Sequence, residues 1–217
     1  MRPRVKICCI SSREEAQQAI ACGASALGLV AAMPSGPGVI GEDRIAGIAA
    51  TVPPPIATFL LTSETRAAAI IAQQRRCRTN TIQLCDDVEP GTYEKLREAL
   101  PGISLVQVIH VTGESSVAQA ITAAAHVDAL LLDSGNPALA VKELGGTGRV
   151  HDWSLSRRIR DECGIPLFLA GGLNEGNVAE AIASVQSFGL DLCSSVRTDG
   201  HLDKAKLRRF MAAAGVL

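Results

Sequence analysis

The chain has 217 residues, of which 47% are hydrophobic, 20% charged and only 3% aromatic. This is ordinary soluble globular composition, and the length suits one large α/β domain spanning residues 1–217 better than two small ones. A net charge of −1 argues against a general nucleic-acid binder, and no apolar run reaches the roughly 18 residues that a membrane span requires.

In chain order, short apolar runs recur at VKICCI (5–10), ALGLVA (26–31), PIATFLL (55–61), TIQL (81–84), ISLVQVI (103–109), ALLLD (129–133), PLFLA (166–170) and LDLCS (190–194). Their near-continuous apolarity predicts parallel strands buried on both faces. Alanine-rich amphipathic stretches of helical length lie between them, clearest at 14–23, 64–76, 93–100, 115–125, 154–162, 174–184 and 203–214. Ser12 and Glu15 have capping-box spacing, and Gly23 supplies a stop signal. Eight strands alternating with eight helices exceed the usual doubly wound sheet, so a single-domain (β/α)8 TIM barrel is expected.

Two connections are long, AAMPSGPGVIG (31–41) after the second strand and SGNPALAVKELGGTGRVHD (134–152) after the sixth. In a barrel both would fall on the catalytic face, since the loops that follow strands build the site. The N-terminus MRPRVKICCI has no long apolar segment of the signal-peptide kind. Seven cysteines at irregular positions, with no C-x-x-C pair, argue against zinc and a disulfide scaffold. A reducing cytoplasmic setting with free thiols is expected.

Three segments could hold an anion. Gly145-Gly146-Thr147-Gly148, Gly171-Gly172 and Ser194-Ser195 follow strands six, seven and eight. Glycines let backbone N–H groups approach a phosphate, and barrels commonly bind phosphate after strands seven and eight. Each segment read alone is an ordinary tight turn. Asp133 ends strand six, where it either points into the site or caps the following turn. Cys8 shares a strand face with Lys6, whereas Ile7 and Cys9 share the other. If the first face is the lumen, Cys8 lies near its top; otherwise it is one more small core residue.

Read together, VKICCI, LLLDS (130–134), GGTGRVHDW (145–153), PLFLAGGLNEGNVAEAI (166–182) and DLCSSV (191–196) resemble the phosphoribosylanthranilate isomerase family of tryptophan biosynthesis. That family shows VKICG, LLDS, GGTG followed by FDW, LAGGL-x-x-x-NV and DVSSGVE in this order. The resemblance implies a (β/α)8 barrel that catalyses an Amadori rearrangement without metal or cofactor. Its substrate would be a small sugar phosphate, N-(5′-phosphoribosyl)anthranilate, converted to a 1-deoxyribulose ketose. Asp133 would be the general acid and Cys8 the general base, with phosphate on the GGTG, AGG and SSV segments. The acid must keep its proton well above the reference pKa of roughly 4, and the base must ionise below about 8.5. Barrels of this kind occur as monomers or homodimers, and the sequence fits either.

Four departures from that pattern stand out. Cys9 replaces a glycine, and Gly38 stands where S-P-R would supply an arginine for the anthranilate carboxylate. L-Q-L-H-G reads Leu84-Cys85-Asp86 after Gln83, and SSGVE becomes Ser194-Ser195-Val196-Arg197. The lost charged hydrogen bond is worth about 1.5–3 kcal/mol. Arg44 or Arg149 could supply the missing charge, or both could be solvated or phosphate-side arginines. A diverged isomerase or epimerase on another sugar phosphate, or a non-catalytic phosphate-binding barrel, are the alternatives.

Overall fold

The structure, a computed structural model, describes residues 3–145 and 148–217. Eight parallel strands close into a barrel in sequence order. They are β1 (Arg4–Ile7), β2 (Ala26–Val30), β3 (Ala57–Thr62), β4 (Thr81–Leu84), β5 (Ser104–His110), β6 (Ala129–Asp133), β7 (Leu167–Leu169) and β8 (Gly189–Leu192). Around them run α1 (Arg13–Ala21), α2 (Glu42–Ala49), α3 (Ala67–Cys77), α4 (Thr92–Ala99), α5 (Ser115–Ala124), α6 (Trp153–Cys163), α7 (Val178–Val185) and α8 (Lys204–Ala213). The barrel closes where β1 pairs with β8, in a register that sets Lys6 beside Asp191 and Ile7 beside Leu192.

Strand alternation separates two buried layers. Ile7, Leu27, Leu29, Leu60 and Leu130 face the helices, in one continuous core with Ile45, Ile70 and Phe210. The lumen holds Cys8, Val30, Phe59, Leu61, Leu131 and Phe168, and Phe59 meets Phe168 edge to face at 5.8 Å between centroids. Branched aliphatics and a few aromatics thus fill the barrel as a packed interior. Among the described residues, no helix is long and apolar enough to cross a membrane.

Local signals set the helix ends. Ser12 caps α1, its hydroxyl accepting from Glu15 N at 3.2 Å. The reciprocal arm differs from a simple capping box, because the Glu15 carboxylate accepts from Ser11 N, one residue earlier. Gly23, with φ 97°, follows the helix end as expected. Asp152 and Asp203 cap α6 and α8 in the same manner as Ser12.

Two features were not foreseen. A small hairpin, β9 (Arg197–Thr198) and β10 (His201–Leu202), joins β8 to α8. Its turn residues Asp199 and Gly200 both have positive φ, as an Asp-Gly hairpin turn requires. The run at 5–10 also stops being a strand at Ile7. Cys9 has φ 62°, so the alternation that would send it toward the helices ends, and its side chain joins Cys8 in the lumen layer.

Candidate active site

A pocket that opens to solvent, with about 730 Å3 of space between and above its walls, lies at the C-terminal end of the barrel. Cys8 and Asp133 both line it, as do Gly145, Gly148, Gly171, Gly172, Ser194 and Ser195. Gly146 and Thr147 lie outside the described residues. The loops after β1, β6, β7 and β8 thus converge on one space.

Several glycines here are sterically required. A Cβ on Gly145 would fall 2.6 Å from Asp133 Oδ2, and one on Gly172 would fall 2.8 Å from the Arg149 carbonyl carbon. Both also have positive φ, 131° and 62°. The segment after β6 is therefore laid directly over Asp133, and the turn after β7 is pressed against its backbone. Asn177 fixes that turn, donating to the Gly172 carbonyl at 3.0 Å while its own Oδ1 accepts from Asn174 N at 2.8 Å.

Asp133 is buried and combines both of its sequence-level readings. Oδ1 accepts from Ser134 N at 2.7 Å, a local turn bond, while the carboxylate also lines the pocket. Cys8 continues the ladder beyond β1, donating from its backbone N to Leu192 O at 2.9 Å. Gly28 opens the floor beneath it, since a Cβ there would fall 3.0 Å from Cys8 Sγ and 3.1 Å from Lys6 Nζ.

Lys6 is fully buried, with Nζ 2.8 Å from Asp191 Oδ2 and 5.2 Å from the centroid of Phe59. Burial works against the ammonium, but Asp191 and Cys8 outweigh it and the Lys6 pKa is raised. Burial likewise pushes the Asp191 carboxyl up, with Lys6 pulling the other way. The remaining oxygen, Asp191 Oδ1, has no protein partner and its residue lines the pocket, as is also true of Gln83 Oε1 and Ser195 Oγ. Buried acceptors of this kind await a donor, because an unpaired polar group is costly. Asp191 and Gln83 escaped the sequence reading. The signal for Asp191 was present, in its place on the lumen face of the DLCSSV run.

The rim departs from expectation in a definite way. Arg44 is exposed on α2 and Arg149 is exposed and paired with Glu143; neither lines the pocket. Asp86 pairs with Lys142 and lies outside the pocket lining. Cys85 does line it, with burial pushing its thiol up to about 12. The two long loops meet above the site, where Ser35 Oγ donates to the Lys142 carbonyl at 2.5 Å.

A (β/α)8 barrel whose pocket gathers a carboxyl, a thiol and glycine-rich turns at the C-terminal ends of its strands has the layout of a barrel enzyme. The family model for N-(5′-phosphoribosyl)anthranilate (PRA) isomerase matches residues 5–213, and the chain belongs to that family of isomerases. It is 34% identical over 213 residues to N-(5′-phosphoribosyl)anthranilate isomerase 2 of Methanosarcina mazei, covering 97% of this chain and 93% of that one. The crystal structure of phosphoribosyl anthranilate isomerase from Thermotoga maritima superposes with a TM-score of 0.82 at 29% identity, covering 99% and 100% of the two chains. A further isomerase of this name, solved in complex with reduced 1-(o-carboxyphenylamino)-1-deoxyribulose 5-phosphate, has a TM-score of 0.79 at 27% identity, with the same coverage.

Proposed function

We propose that the protein isomerises N-(5′-phosphoribosyl)anthranilate to 1-(o-carboxyphenylamino)-1-deoxyribulose 5-phosphate. The observation that carries this reading is that Cys8 and Asp133 line one pocket together with Gly145, Gly148, Gly171, Gly172, Ser194 and Ser195. Asp133 gives its proton to the furanose ring oxygen, and the ring C–O bond breaks as the nitrogen lone pair forms an iminium. Cys8, as thiolate, takes the C2′ proton, which the iminium has made acidic. The electron pair of that C–H bond forms an enolamine, which tautomerises to the ketone. General acid–base assistance of this kind is worth about 10²–10⁴-fold at each step.

Other residues have supporting roles. The backbone of the Gly145–Gly148, Gly171–Gly172 and Ser194–Ser195 segments holds the phosphate through N–H donors. Asp191 Oδ1 accepts from a sugar hydroxyl or the bridging amine, with Lys6 fixing its partner oxygen. Arg44 and Arg149 are better read as surface and loop residues than as contacts to the carboxylate.

The test generates the substrate in situ and follows loss of its fluorescence. Wild type is expected to turn over, and Cys8→Ala and Asp133→Asn to lose about 10²-fold or more. A folded wild type without turnover overturns the proposal. A second reading, isomerisation of an aminoaldose phosphate whose amine carries no carboxylate, is favoured by one observation. No Lys or Arg lines the pocket among the described residues. Faster turnover of the uncharged aniline analogue than of the anthranilate compound would select it.

A further inference from the structure

Two departures from the family motifs touch each other. VKICG carries Cys9 in place of its glycine, and the last position of DVSSGVE is Arg197 in place of a glutamate. Although far apart in the chain, Arg197 Nη2 donates to the carbonyls of both Cys8, at 3.0 Å, and Cys9, at 2.6 Å. An ionised glutamate could not make these bonds, since a carboxylate and a carbonyl are both acceptors.

The turn held in this way carries Cys8. Cys8 N donates to Leu192 O beside β8 at 2.9 Å, and Ile10 N donates to Gly28 O of β2 at 3.0 Å. The chain is therefore pinned to a neighbouring strand on each side of Cys9, which adopts φ 62° between them. Glycine takes such a left-handed conformation freely, whereas a residue with a Cβ is strained there. A strained residue persists only where its surroundings over-determine it, and Arg197 does so. Its Nη2 bridges two successive carbonyls, while its Nη1 donates to Glu15 Oε1 at 3.1 Å and Gly200 O at 2.9 Å. The guanidinium is buried. Glu15 is itself fixed, accepting from Ser11 N at 2.9 Å and Leu202 N at 2.8 Å.

We propose that Arg197 is a positioning residue for Cys8, whose guanidinium holds the left-handed turn at Cys9 and does for a cysteine what a glycine does unaided. Cys8 and Cys9 line the pocket, and Arg197 does not, so it acts through the backbone of the turn. Without the guanidinium, Cys9 relaxes toward negative φ, the peptide after Cys8 rotates, and the Cys8 thiol leaves its place in the pocket. The strain of one left-handed residue corresponds to about a tenfold fall in the population of the competent turn. The consequence for turnover rests on Cys8 being the general base; the hold on the turn does not.

The test compares wild type, Arg197→Met, Cys9→Gly and Cys9→Gly/Arg197→Met in turnover of N-(5′-phosphoribosyl)anthranilate and in amide hydrogen exchange. Arg197→Met is expected to lose about tenfold in kcat, with KM changed by no more than about twofold. Exchange of the Ile10 amide is expected to quicken in the same variant. The double variant is expected to recover most of both losses, because glycine keeps the turn without help. An arginine that only tied α1 to the β9–β10 hairpin would act through Glu15 and Gly200, contacts that a glycine at position 9 leaves alone. No recovery in the double variant therefore overturns the proposal, as does a loss confined to KM. If Arg197→Met fails to fold, Arg197→Lys, which keeps a charge for Glu15 but gives up the planar fork, takes its place in the set. A wild type without turnover would count against the reading of Cys8 as base, and Ile10 exchange across the same variants would still decide whether Arg197 holds the turn.

Discussion

Cys9 occupies the space that any side chain at Gly38 would need. A Cβ at position 38 would fall 2.8 Å from Cys9 Sγ and 2.9 Å from Cys9 Cα, and Gly38 itself has φ 81°. The two departures at these positions are therefore one structural change. The thiol that replaces a glycine after β1 fits because the loop after β2 carries no side chain opposite it.

Restoring an arginine at 38 by itself is expected to fail for this reason. Gly38→Arg should cost about 1–3 kcal/mol of stability, from overpacking against Cys9 together with backbone strain. Cys9→Gly/Gly38→Arg should recover the overpacking part and lower KM for N-(5′-phosphoribosyl)anthranilate. Urea denaturation and steady-state kinetics on the four members of this cycle measure the coupling. Additive effects of the two substitutions would show that the contact carries no energy.

Lys6 and Asp191 form the second pair to test. Removing the cation alone leaves a carboxylate buried inside the barrel, so Lys6→Met is expected to destabilise by about 3–5 kcal/mol. Lys6→Met/Asp191→Leu should be less destabilised than Lys6→Met, since two apolar side chains leave no unpaired charge. Equilibrium urea unfolding of the single and double variants checks the order. A double variant less stable than Lys6→Met would show that the pair contributes net stability beyond its own desolvation.

His151 gives the fold a dependence on mild acid. Burial lowers its pKa from 6.5, against the opposing pull of Asp133 and Asp152. The unfolded chain therefore takes up this proton near pH 6.5 while the folded one does not, and stability falls as pH drops through that window. Its Nε2 sits 2.7 Å from Ser156 Oγ, and its Nδ1 has no partner. His151→Phe should flatten the stability curve between about pH 6.5 and 5, above the range where lowered carboxyls such as Glu15 and Asp203 take over. Unfolding midpoints across pH for both proteins decide it, and parallel curves would contradict the assignment.

Much of the fold was legible in the pattern. TIQL and ALLLD coincide with β4 and β6 to the residue, because short apolar runs between helical stretches have few other uses. The β9–β10 hairpin was not seen, since strands of two residues carry no periodicity, although Asp199-Gly200 marked its turn. Glycine placement likewise picked out the segments after β6, β7 and β8 that line the pocket, but spacing alone did not say that Gly145 would lie over Asp133. The expected opposite facing of Cys8 and Cys9 failed at a single dihedral, which no alternation rule contains.

By itself, the sequence determined the layers of this protein. Apolar runs of strand length and amphipathic runs of helical length select the barrel, and alternation decides which side chains enter its lumen. Tertiary structure alone decided who meets whom there. Lys6 and Asp191 are 185 residues apart, as distant as the chain nearly allows, and only closure of β1 on β8 sets them 2.8 Å from each other. The same closure brings Arg197 onto the carbonyls of Cys8 and Cys9. Periodicity fixes the direction of a side chain, but contact depends on strand register and on loop dihedrals, and these are settled by packing of the whole barrel.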